Sequence, residues 1–88
     1  MKKNTTSFVK AKVNIKITPG EMLRTLRDLQ ELSQKELSEL TGISQSNISA
    51  LETNVRSIGR DRAIVFAKAL KVHPSVILFP DYRMEEVA

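Results

Sequence analysis

Gln45 carries a side-chain amide that donates and accepts hydrogen bonds at once, and Ser44, Ser46, Asn47 and Ser49 surround it in the chain. The glutamine amide has the shape to pair with N6 and N7 of an adenine together, a contact worth about 1–3 kcal/mol of discrimination. The serines are shorter and less selective, and suit contacts made through water. Asn47 has the reach for a phosphate. The one histidine, His73, directly precedes Pro74, where capping or a surface position suits it better than catalysis. There is no cysteine, so neither a disulfide nor a thiolate metal site can form. Hydrogen-bond recognition is the chemistry on offer; no catalytic centre, metal or cofactor is expected. Met22 and the leucines read as core, and the acids as solvated faces.

Recognition of this kind needs its side chains on a helix held at a fixed angle. Ser33 and Glu36 have capping-box spacing for one helix. Gly42 stands where that helix must stop, at a position suited to a left-handed backbone. Ser44 then caps a second helix. Leu37, Leu40, Ile43, Ile48 and Leu51 are the apolar positions, which both helices can bury in one shared core. Two short helices meeting at one tight turn, with a polar outer face on the second, form a helix-turn-helix, whose second helix enters the major groove. The plainer alternative is the polar outer face of any amphipathic helix; the turn, the caps and the arginines nearby argue against it.

Further elements must complete a domain around this pair. Thr18, Pro19 and Glu21 open a helix that is expected to run to about Glu31, with Leu23, Leu26 and Leu29 inward. Beyond the motif, Asn54 and Gly59 mark turns, and a helix starts near Asp61 with Ala63, Phe66, Ala67 and Leu70 at helical spacing. Pro74 opens a short last helix that offers Val76, Ile77 and Phe79 to the core, and Pro80 ends it. Ahead of all these, Val9, Ala11, Val13, Ile15 and Ile17 alternate with Lys10, Lys12, Asn14 and Lys16, a period-two pattern that predicts a strand. The expected architecture is all-α, five short helices with an N-terminal β-strand arm. The arm takes residues 1–18, the DNA-binding domain 19–80 and a short tail 81–88.

Charge is distributed unevenly over the 88 residues, whose formal net charge is +4. Lys2, Lys3, Lys10, Lys12 and Lys16 precede the helices with no acid among them, and Arg56, Arg60, Arg62, Lys68 and Lys71 follow the motif against Asp61 alone. Glu21, Asp28, Glu31, Glu36 and Glu39 make the segment between acidic. Basic segments flanking the polar helix suit phosphate neutralisation. No apolar run reaches membrane-spanning length, and no signal peptide is expected at the N-terminus; a cytoplasmic location is expected.

From Gly20 to Phe79 the chain resembles the phage-repressor (Cro/CI, or XRE) helix-turn-helix family. The resemblance rests on Gln34 opening the first motif helix, the turn at Gly42, and Arg27 and Glu52 at the ends of the spacing. It implies that Ser44, Gln45, Ser46 and Ser49 read bases, and that Gln34 contacts phosphate while bracing the recognition helix. It also implies that Arg27 and Glu52 form an internal ion pair. Lys35, Asn47, Arg56, Arg60 and Arg62 are the further phosphate or positioning candidates. Ala50 departs from the pattern, because some phage repressors place a longer base-contacting side chain there; the recognised sequence therefore does not carry over. The implied function is a sequence-specific DNA-binding regulator, a repressor acting as a homodimer on a palindromic operator. An unpaired strand needs an edge to join, so Val9, Ala11, Val13, Ile15 and Ile17 are expected to contact a second copy or a partner. Small proteins of this kind also resemble the antitoxins of bacterial toxin–antitoxin pairs (the HigA type), which makes a toxin the alternative partner. A protein-interaction module without DNA binding is the remaining alternative, and the basic flank speaks against it.

Overall fold

The computed structural model describes residues 17–81. Within them lie five helices: α1 (Pro19–Leu29), α2 (Gln34–Thr41), α3 (Gln45–Glu52), α4 (Arg60–Leu70) and α5 (Pro74–Leu78). No strand occurs among the described residues. The predicted strand lies almost wholly outside them; Ile17 alone is described, exposed and in neither helix nor strand.

Local chemistry sets the starts. Thr18 Oγ1 accepts from the Glu21 backbone N–H at 3.1 Å while the Glu21 carboxylate accepts from the Thr18 N–H at 3.0 Å. Ser33 and Glu36 repeat this box at the start of α2, at 3.0 and 2.8 Å. Ser44 Oγ caps α3 by accepting from the Asn47 N–H at 3.2 Å. His73 takes the capping role expected of it, its Nδ1 accepting from the Ser75 N–H at 3.1 Å.

The ends share a second device. Gly42 closes α2 at φ 78°. Glu31, Asn54 and Lys71 adopt the same left-handed backbone without being glycine, at φ 58°, 67° and 62°. Each is followed by a residue whose N–H reaches back to the last turn: Leu32 to the Arg27 carbonyl (3.0 Å), Val55 to Ala50 (2.9 Å) and Val72 to Ala67 (3.0 Å). These are Schellman closures, which satisfy carbonyls the helix itself leaves over.

Leu23, Leu37, Ile48, Leu51, Ile58, Ala63, Phe66, Ala67, Leu70 and Ile77 form one buried core. The helix pair α2–α3 packs together; α1 lies against α3, α4 and α5; α4 lies against α2 and α5. Several expectations fail at the edges of this core. α1 ends at Leu29, two residues early, because Glu31 turns left-handed. Leu29, within α1, is 73% exposed rather than inward because it stands about 120° round the helix from buried Leu23, and Leu40, near the carboxyl end of α2, is 60% exposed. Val76 and Phe79 are also exposed, leaving Ile77 as the buried anchor of α5.

Candidate nucleic-acid interface

The polar helix α3 is held at its carboxyl end by a buried charge network. Arg27 on α1 is 9% exposed and Glu52, the last residue of α3, is 5% exposed. Arg27 Nε donates to Glu52 Oε2 at 2.7 Å and Nη2 to Oε1 at 3.0 Å, a two-pronged pairing that matches the planar guanidinium to the carboxylate. Arg27 Nη1 donates to the Leu32 carbonyl at 2.7 Å, which ties the pair to the loop between α1 and α2, and lies 3.3 Å from Asp28 Oδ1. Gln34, the first residue of α2, donates its Nε2 to Glu52 Oε1 at 3.0 Å. One carboxylate thus joins the first three helices. The hydrogen bond to Glu52 raises the Arg27 pKa further above its ordinary value, outweighing the opposing effect of burial, with Glu52 and Asp28 adding electrostatic support. Among the described residues, no buried side-chain nitrogen or oxygen lacks a hydrogen-bond partner.

Towards the amino end of α3, Ser44, Gln45 and Ser46 are exposed, while Asn47, Ser49 and Ala50 are half-buried. The Ser44 and Ser46 hydroxyls are 3.4 Å apart. The Ser49 carbonyl accepts from the Thr53 hydroxyl at 2.9 Å, so its own hydroxyl is not what closes the helix. Lys35, Arg56 and Arg60 are exposed and Arg62 is half-buried. Arg56 sits in the turn that follows α3, its N–H donating to the Ala50 carbonyl at 3.1 Å, and Arg60 and Arg62 lie in the first turn of α4. Of the five arm residues only Ile17 is described; Val9, Ala11, Val13 and Ile15 lie outside the described residues.

Sequence reasoning missed two supports. Gln30 Nε2 donates to the Leu70 carbonyl at 2.7 Å, fastening the end of α1 to the end of α4. Thr41 Oγ1 donates to the Leu37 carbonyl at 2.8 Å and accepts from the Ile43 N–H at 3.2 Å, shaping the turn into α3. A glutamine beside a helix end and a threonine before a glycine are too common to single out without the coordinates.

The helix-turn-helix family profile matches residues 23–77, from α1 to α5. The chain belongs to the helix-turn-helix family. Its Cro/CI-type (XRE) character is supported by its relatives. The control protein C.SmaI of Serratia marcescens is 33% identical over 58 residues, 66% of this chain and 69% of that protein. An uncharacterised HTH-type transcriptional regulator of Sinorhizobium fredii, y4wC, is 36% identical over 56 residues, 64% of this chain. The match spans 39% of that regulator's length. In three dimensions, the P22 c2 repressor, solved in complex with the synthetic operator 9T, superposes with a TM-score of 0.68 at 25% identity, covering 73% of this chain and 97% of that one. The restriction-modification controller protein C.AhdI of Aeromonas hydrophila gives 0.65 at 30% identity, over 68% and 91%. No helix of this helix-turn-helix protein, among the described residues, is long and apolar enough to cross a membrane.

Proposed function

We propose that the protein is a DNA-binding transcriptional regulator, a repressor that lays α3 in the major groove and binds a palindromic operator as a homodimer. The observation that carries this reading is the arrangement of α3: a polar, exposed amino-terminal half, with the carboxyl end anchored by the Arg27–Glu52–Gln34 network that fixes the helix's angle. Family membership and the likeness to a repressor solved on its operator support it.

In this reading Gln45 makes the two-atom contact to an adenine, Ser44, Ser46 and Ser49 make shorter or water-borne contacts, and the network at the far end of α3 sets register. Gln34, Lys35, Asn47, Arg56, Arg60 and Arg62 position the helix on phosphates, which supplies salt-dependent affinity without sequence preference. Residues 19–80 act as the DNA-binding unit, and residues 1–18 serve the contact between copies. Hydroxyl-radical footprinting on DNA upstream of the gene tests the dimer. It should show two protected half-sites about one helical turn, ~34–36 Å, apart. A single protected half-site at saturation contradicts the dimer and leaves a monomeric reader. Binding of a toxin through the arm rests on residues outside those described, and nothing further favours it.

A further inference from the structure

We infer that Gly20 is a positioning residue for the recognition helix, the second of two points at which α1 sets where α3 lies. The inference rests on the base-reading role proposed for α3.

Gly20 occupies the second position of α1, directly after Pro19, and is buried. A methyl group built on its Cα would overlap the Leu51 backbone carbonyl oxygen, and would lie 2.8 Å from Asn54 Oδ1 and 3.1 Å from the Glu52 carbonyl oxygen. The first turn of α1 therefore abuts the last turn of α3 with backbone against backbone. Two of these three atoms are main-chain carbonyls, which cannot swing aside as a side chain does. The contact is also electrostatically matched, because the amino end of one helix faces the carbonyl end of another.

The Arg27–Glu52 pair joins the same two helices seven residues further along α1, or about 10 Å at 1.5 Å rise per residue. Alongside the packing of α2 and the burial of Ile48, the two contacts reach the last turn of α3 from separate points on α1 and set where its carboxyl end lies. The polar face from Ser44 to Ser49 is the lever that any pivot would move. Carbon–oxygen contacts settle at about 3.3–3.6 Å, so an alanine at position 20 must drive the two helices apart by on the order of 1 Å. Arg27 and Glu52 resist a uniform shift, and the displacement resolves as a tilt. Glycine in a helix is otherwise unfavourable relative to alanine, and the close approach supplies the reason for it here.

The test compares the full chain with Gly20→Ala and with Ile77→Val, a core change on α5. Two readouts are taken under conditions where melting shows each chain folded; trimethylamine N-oxide is added if Gly20→Ala requires it. The first is the ratio of affinity for upstream DNA to affinity for a scrambled duplex. The second is the set of backbone amide shifts of α3 without DNA. Gly20→Ala should move the α3 amides and lower the affinity ratio about tenfold or more, the size of losing one two-atom base contact. Its affinity for scrambled DNA should stay within about twofold, since phosphate contacts tolerate small shifts. Ile77→Val should change neither readout. A Gly20→Ala chain with a lower melting temperature but unmoved α3 amides and an unchanged ratio overturns the inference and leaves a packing glycine. Should the unaltered chain show no preference for either duplex, base reading fails, and moved or unmoved amides still decide whether Gly20 positions α3.

Discussion

At the scale of single residues, the division of labour lies between the two ends of α3, the polar amino end and the anchored carboxyl end. Glu52 accepts from Arg27 twice and from Gln34 once, all within 3.0 Å. Removing one partner of a buried pair leaves the other charge uncompensated, at a cost of about 3–5 kcal/mol. Glu52→Ala should therefore lose stability by that order in urea titration, before any effect on sequence preference is measurable; a wild-type urea midpoint would sink the assignment. Replacing both charges by apolar residues, Arg27→Met with Glu52→Leu, should cost less than Glu52→Ala alone, because no buried charge is then stranded. The raised Arg27 pKa carries a sign of its own. A cation with a raised folded-state pKa contributes fully below its unfolded value and loses that contribution only as pH rises through the folded one. Arg27 therefore stays charged throughout the neutral range and contributes no pH dependence there.

At the scale of elements, the terminations decide the shape of the domain. The sequence announces the starts plainly, since Thr18, Ser33 and Ser44 sit at cap positions and two of them have a glutamate at the right spacing. Gly42 announces one end. The other ends were harder to see. Asn54 reads only as a turn, while Glu31 and Lys71 look like ordinary helix residues. Their left-handed backbones come from tertiary demand rather than local preference. Sequence alone therefore runs α1 on to about Glu31. Nor does spacing say how far α4 covers the end of α2, which is why it places Leu40 inside. A left-handed backbone costs an L-residue roughly 1–2 kcal/mol that glycine avoids, and glycine gives back part of this in chain entropy. Lys71→Gly should accordingly raise stability by about 0.5–1 kcal/mol, read as a higher midpoint with an unchanged slope in urea. In the other direction, Ser33→Ala removes a capping box and should cost about 0.5–2 kcal/mol.

At the scale of the whole molecule, one small core orients a polar helix, with exposed Arg56 in the turn after it and exposed Arg60 at the start of α4. The helix-turn-helix and its polar residues are legible from residues 33–52, where caps, turn and apolar spacing agree with one another, and the other helices from Thr18, Pro19, Asp61 and Pro74. The arm residues Val9, Ala11, Val13 and Ile15 carry a pattern but no described structure. Base reading by α3 on a platform of phosphate contacts is best tested by equilibrium binding to upstream DNA and to a scrambled duplex, across a salt series, for the unaltered chain and for Gln45→Ala. The upstream DNA should bind more tightly, and Gln45→Ala should lose about 1–3 kcal/mol there. Both chains should lose affinity with the same steep salt dependence. Equal, weak binding of both proteins to both duplexes would contradict it.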